Sequence, residues 1–262
     1  MYSFDYERPS GIDNAAAAVG EDDRFLAGGQ SLLPALKLRL AQVDKLVDLG
    51  GIADLKGITV TDSEVVIGSM TTHAAVASSA EVQKAIPALA SLAAHIGDAQ
   101  VRNRGTLGGS IANNDPAADY PAALVGLGAT VHTNKRTLPA ETFFVDLMET
   151  ALEDGELITK VSFPIPKKAG YAKFPNPASR FALVGVFVAQ TGSGARVAVT
   201  GAGPCVFRQS DMEAALAGTF ASSAVTGVKT DATGLNADIH ASSDYRAHLV
   251  SVMAGRAVDA AS

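Results

Sequence analysis

The apolar positions of this chain change period many times, and each change marks a short element. Ala15 to Val19 fits a short helix and Arg24 to Ala27 a strand. Leu32, Leu33, Leu36 and Leu40 then space out a helix from Leu32 to Ala41, and Lys45 to Asp48 reads as a strand before Gly50-Gly51 breaks the pattern. Ile58 to Thr61 and Val65 to Ser69 alternate like strands about the turn Asp62-Ser63. Thr71-Thr72 caps a helix running through Ala77. Residues 86 to 95 form an alanine-rich helix, with Pro87 in the first turn, where a missing N–H is tolerated. His95 lies near its end, where an imidazole satisfies the helix dipole. Tyr120 to Leu127 is a further helix, and Ala129 to Thr133 with Arg136 to Leu138 a hairpin about Asn134-Lys135. Glu156 to Pro164 closes this region as a strand.

Pro164 to Gly170, rich in proline, lysine and glycine, is the best boundary. Beyond it Tyr171 to Phe174, Phe181 to Thr191 and Arg196 to Gly201 predict a three-stranded antiparallel sheet, turned by Gly192-Ser193-Gly194. Two helices follow, Ser210 to Ala217 and an amphipathic one from Ser242 to Val258. The order predicts an α+β protein: two α/β parts, residues 1–55 and 56–166, then a sheet-and-helix part, residues 167–262.

Two glycine stretches stand out against this framework. Ala27-Gly28-Gly29-Gln30-Ser31-Leu32 joins the end of a strand to the start of a helix. Glycines let backbone N–H groups converge without Cβ obstruction, and a helix start adds positive potential, so the stretch predicts an anion cradle. Ser31 either caps the helix or gives its hydroxyl to a phosphate oxygen. Thr106-Leu107-Gly108-Gly109-Ser110 repeats the design and runs on through Asn113 to Asp115 and Asp119. A pair of such loops suits a ligand with a pyrophosphate in its middle and polar ends. Asp119 directly precedes Tyr120-Pro121, where it is placed to cap the helix.

Composition removes several function classes. The net charge is −6 with scattered basic residues, which argues against nucleic acid. Cys205 is the one cysteine, so there is no internal disulfide, CxxC pair or cysteine-ligated iron–sulfur cluster. The five histidines show no metal-ligand spacing. No stretch approaches the roughly 20 apolar residues of a membrane span, and the first residues lack a signal-like core, which predicts a cytoplasmic protein. Gly201-Ala202-Gly203 does not continue as a dinucleotide fingerprint, because Val206 takes the third glycine's place and Pro204 interrupts the turn.

The stretches Ala27 to Ser31 and Thr106 to Ser110, with Leu36 to Arg39, Gln100 to Gly105 and Asp115 to Asp119, resemble the FAD-binding medium subunit of the molybdenum hydroxylases. The resemblance covers nearly the whole chain and weakens after about residue 205. It implies a two-part FAD-binding unit of the PCMH type, with the pyrophosphate on the two glycine stretches, and a C-terminal domain beside the flavin. It also implies that Asp119 accepts hydrogen bonds from the adenosine ribose, that Ile96 and Ile158 pack around the adenine or flavin, and that Lys173 approaches the flavin's polar edge. Phe181 matches a position facing the flavin, where some relatives carry a tyrosine; read by itself, an aromatic opening an apolar strand is core. The implied activity is electron transfer from a small iron–sulfur subunit to FAD and on to an external acceptor. Substrate is oxidised on a large molybdopterin subunit, in a dimer of heterotrimers. No acid–base pair or nucleophile emerges, in keeping with a cofactor that carries the redox chemistry. There are two rivals. One is a stand-alone flavin dehydrogenase or oxidase, which needs a substrate pocket that the short C-terminal third does not suggest. The other is a non-catalytic ligand-binding or assembly subunit that has lost FAD, against which the intact Gly28, Gly29, Gly108 and Gly109 argue.

Overall fold

Strand β3 (Lys45–Asp48) is the centre of the first of three main sheets, a two-stranded ribbon making a fourth, in the computed structural model, which describes residues 1–262. Parallel partners β1 (Asp5–Glu7) and β2 (Arg24–Leu26) flank it, connected through helices α1 (Ile12–Ala18) and α2 (Leu32–Lys37). Side chains alternate along β3: Val47 joins Ala15 of α1 in one small core, and Leu46 joins Leu36 of α2 in another. Helix α2 ends before Ala41, the limit set by the leucine spacing. Arg39 takes φ 58°, and the Leu40 N–H bonds back to the Ala35 carbonyl, a reverse turn that closes the helix and leaves Leu38 and Leu40 exposed.

The second sheet is antiparallel, with strand order β4-β5-β10-β6-β7. Strands β4 (Ile58–Val60) and β5 (Glu64–Gly68) form a hairpin, then a run of helices intervenes: α3 (His73–Ser78), α4 (Ala80–Ala85), α5 (Pro87–Ala94), α6 (Ala99–Arg104), α7 (Leu107–Asn113) and α8 (Tyr120–Leu127). Hairpin β6 (Thr130–Thr133) and β7 (Thr137–Pro139) leads through α9 (Ala140–Phe143) to a small ribbon, β8 (Phe144–Asp146) and β9 (Glu149–Thr150). Strand β10 (Ile158–Pro164) enters the middle of the sheet, pairing Val161 with Ile67 on one side and Val131 on the other. Helix α8 is apolar all round and every residue of it is buried, as such a pattern requires.

The third sheet contains β11 (Lys168–Pro175), β12 (Ala182–Thr191), β13 (Gly194–Thr200) and β14 (Phe207–Arg208), all antiparallel. It has four strands and not three; a two-residue strand is too short to show a period. Phe181 is not core either: β12 starts one residue later, and Phe181 is 50% exposed. Strand β12 is buried on both faces because helices cover both. Phe187 and Ala189 face the core of α5 and α8, whereas Val184, Val186 and Val188 face α10 (Ser210–Gly218) and α12 (Ser243–Asp259), with α11 (Ser222–Val225) beside them. Gly126 of α8 lets Phe187 approach; a Cβ there would lie 2.8 Å from its ring. No helix is long and apolar enough to cross a membrane.

Phe181, just before β12, and Phe187, in its middle, supply a test of this layering. Phe187→Ala, which opens a cavity between α8 and the sheet, is expected to cost about 3–5 kcal/mol. Phe181→Ala is expected to change stability by no more than about 0.5 kcal/mol. Urea denaturation of the two variants reads the difference.

Candidate functional site

The three sheets meet around one large cleft of about 500 Å³, within the range of small-molecule and cofactor sites. Its walls come from the segment after β2, from Ser69, Met70 and His73, from residues 96 and 97, from α7, from Asp115 to Asp119, from residues 156–158 and from the turn before β12.

The first glycine stretch lies along one wall. Gly29 has φ 75°, a conformation that side chains resist, and a Cβ on Gly28 would collide with the Arg104 carbonyl. The backbone N–H groups of residues 28–31 find no acceptor within the chain, since the helical bonds begin with Leu33 donating to Gly29. Ser31 occupies the N-cap position of α2 without a capping hydrogen bond, so its exposed hydroxyl stays free. Together they form a row of unpaired donors beside a cleft, with Ala27, Gln30 and Leu32 completing the wall.

The second stretch is built differently from its sequence twin. It is not a loop but helix α7, and its leading N–H groups are already used. Leu107 donates to the Thr71 carbonyl, Gly108 to the Ser69 carbonyl at 2.8 Å, and Gly109 to the Thr106 hydroxyl that caps the helix. Its glycines serve contact within the chain. A Cβ on Gly108 would lie 2.6 Å from that of Ser69, and one on Gly109 would lie 3.1 Å from that of Ala27. The stretch therefore offers side chains to the cleft, those of Thr106, Ser110 and Asn113, in place of backbone N–H groups. Leu107 is fully buried in the main core and does not line the cleft.

Asp119 lies on the cleft wall yet is only 4% exposed. It stands at the N-cap of α8 but makes no capping bond. Instead its Oδ1 accepts from the Tyr171 hydroxyl at 2.6 Å and pairs with the Lys173 ammonium at 2.8 Å. Oδ2 has no partner in the chain. Burial pushes the carboxyl up, while Lys173 and then Tyr171 pull it down. Lys173 also donates to the His95 carbonyl, so it lies behind Asp119 and not on the cleft wall. The His95 Nδ1 is 2.7 Å from the Ser91 carbonyl, the helix-end role expected of it. Ile96 and Ile158 both line the cleft, and Phe181 is held there by a turn in which Arg180 has φ 64° and donates to the Gly97 carbonyl.

The structure thus brings together every sequence-singled residue except Leu107 and Lys173. It also adds residues with no local signal. Glu156 is one: burial opposes its charge, but hydrogen bonds from Arg136, the Glu153 N–H and Thr133 hold its carboxyl down at about 2. Ser69 and His73 are others, flanking the Thr71-Thr72 cap whose chemistry looks purely structural in sequence.

Residues 2–166 match the family described as FAD binding domain in molybdopterin dehydrogenase. The chain is 37% identical to the carbon monoxide dehydrogenase medium chain of Hydrogenophaga pseudoflava, over 79% of this chain and 77% of that one. It is 36% identical to the nicotine 6-hydroxylase medium subunit of Paenarthrobacter nicotinovorans, over 79% of this chain and 78% of the relative. The reconstituted CO dehydrogenase from Oligotropha carboxidovorans contains a chain that superposes with a TM-score of 0.91 at 33% identity, covering 99% of this chain and 97% of that one.

The buried pair makes a clean prediction. Lys173→Met leaves Asp119 without its counter-charge and is expected to cost about 3–5 kcal/mol. Adding Asp119→Asn removes the stranded charge and is expected to restore much of the loss, as urea midpoints of the single and double variants will read.

Proposed function

Because this chain belongs to the FAD-binding medium subunits of the molybdenum hydroxylase family, we propose that it is the electron-transfer station of a three-subunit oxidoreductase. In this reading it receives electrons from iron–sulfur clusters of a small partner subunit and delivers them to an external acceptor. The substrate is oxidised on a large molybdopterin subunit, and the whole assembles as a dimer of heterotrimers. FAD is the cofactor, and when bound it supplies the chemistry of holding and releasing electrons. The relatives support a division of labour, since a carbon monoxide dehydrogenase and a nicotine hydroxylase carry medium subunits of nearly equal likeness to this chain. The substrate is accordingly read elsewhere.

The observation that carries the cofactor assignment is the row of unpaired N–H groups at residues 28–31. A pyrophosphate satisfies such donors without a neighbouring lysine, because each N–H points a partial positive charge at it. The hydroxyls of Ser31 and Ser110 and the amide of Asn113 extend the donor set. Asp119 Oδ2 faces the opposite need, an acceptor seeking a hydroxyl, which a ribose provides; Lys173 and Tyr171 hold it in place from behind. Ile96 and Ile158 supply apolar walls for a flat ring, and Phe181 stands half-exposed at the flavin end. What these residues do is bind and orient; none is placed to move a proton.

Ser31→Asp tests the cradle without disturbing the fold, because Ser31 is exposed and makes no hydrogen bond through its side chain. A carboxylate there is expected to repel the pyrophosphate and weaken FAD binding roughly 10- to 100-fold, equivalent to about 1–3 kcal/mol. Flavin absorbance after gel filtration measures it, and full occupancy would move the pyrophosphate off this segment. The complex itself is tested by purification from its source: FAD together with a cluster-bearing and a molybdopterin-bearing partner is the expected result. FAD on a partnerless chain, reduced directly by a small molecule, would favour a stand-alone flavoenzyme.

A further inference from the structure

Two buried side chains on the cleft wall, those of Ser69 and His73, have no hydrogen-bond partner, and His73 is the one with a ring to donate from. His73 is 4% exposed, and its ring makes no hydrogen bond with the chain; Nδ1 is sealed off entirely. The ring is held rigidly. Its backbone N–H donates to the Gly105 carbonyl, and the ring packs tilted against that of Tyr120, with centroids 5.3 Å apart. Gly105 closes the other side, where a Cβ would come within 2.6 Å of Nε2. A glycine is needed at this place because the imidazole occupies the space.

Burial and then the nearby Arg102 charge hold the imidazole down to about 4, so the ring is neutral near pH 7 and carries one proton. A buried N–H without an acceptor is the rarer and costlier orphan, so the sealed Nδ1 is the bare nitrogen and Nε2 carries the hydrogen. Tyr120, against which the ring packs, directly follows Asp119. Ile96, Gly97 and Val101 line the same cleft, and Gly105 lies between the ring and the Val101 carbonyl. A neutral N–H donor thus lines the same cleft as Asp119, whose Oδ2 is free.

Resting on the FAD reading of this cleft, we infer that His73 is a ligand-contacting residue whose Nε2–H donates to an acceptor on the adenosine half of the dinucleotide. The pair then recognises the adenosine from both sides of the hydrogen-bond code, Asp119 as acceptor and His73 as donor.

The test uses the full chain freed of flavin, titrated with FAD, ADP and FMN. His73→Leu is expected to weaken ADP and FAD by about tenfold each. FMN, which lacks the adenosine, is expected to bind as before. His73→Gln, whose amide N–H reaches the Nε2 position, is expected to recover most of the loss; His73→Asn, which reaches only the Nδ1 position, is not. That Gln–Asn contrast carries the test if His73→Leu fails to fold. Unchanged ADP affinity in folded His73→Leu, or equal losses for ADP and FMN, would overturn the role of His73 alone. A wild-type chain that takes up neither FAD nor ADP would overturn the cofactor reading, and this inference with it.

Discussion

Everything around the cleft depends on how closely three backbone segments approach one another. Gly28 packs on the carbonyl of Arg104, Gly109 on Ala27, Gly108 on Ser69, and Gly105 on the ring of His73. At each place a Cβ would fall inside normal contact distance, so each is a glycine for reasons internal to the protein. The contacts lock α7 against the end of β5 and against the segment following β2. With these three fixed, the N–H groups of residues 28–31 are left unpaired on residues that line the cleft. A preorganised donor row costs no ordering when a ligand arrives.

In the function proposed above, this arrangement is what lets a chain of net charge −6 take a pyrophosphate. The unpaired N–H groups are neutral dipoles, and the cationic groups on the cleft wall, Arg24 and Arg180, stand at exposed positions. The one buried charge pair, Asp119 with Lys173, serves a different end. Asp119 comes from the segment before α8, while Tyr171 and Lys173 come from β11, so the pair ties the third sheet to the cleft wall. A carboxylate buried so deeply needs both partners to remain charged. Assembly of the C-terminal sheet is therefore coupled to the placing of Asp119 on the cleft wall.

Much of the framework was legible in the chain itself. Helix α8 and strand β3 match their predicted spans residue for residue, because breakers bound them: Pro121 in the first turn and Gly128 at the end of α8, and Gly50-Gly51 shortly after β3. Helices α4, α6 and α7 were not read, for a physical reason: each is six or seven residues long and carries glycines, polar residues or arginines that show no period. Tertiary packing, supported by the side-chain caps of Ser79, Asp98 and Thr106, forms them. Of the site, the glycine pairs were visible because only glycine fits such approaches. His73, Ser69 and Glu156 were invisible, because a lone polar residue acquires meaning only from what it faces.

The sequence by itself determined the α+β class, the order of its elements and two glycine stretches that look alike. Only the tertiary structure decided that they differ in kind. Backbone donors are identical in every residue, so a sequence cannot say which are already spent. In the fold, those of residues 107–109 are consumed by Ser69, Thr71 and Thr106, and those of residues 28–31 remain open. Hydrogen-bond capacity is a property of the chain, whereas its availability depends on neighbours brought from elsewhere.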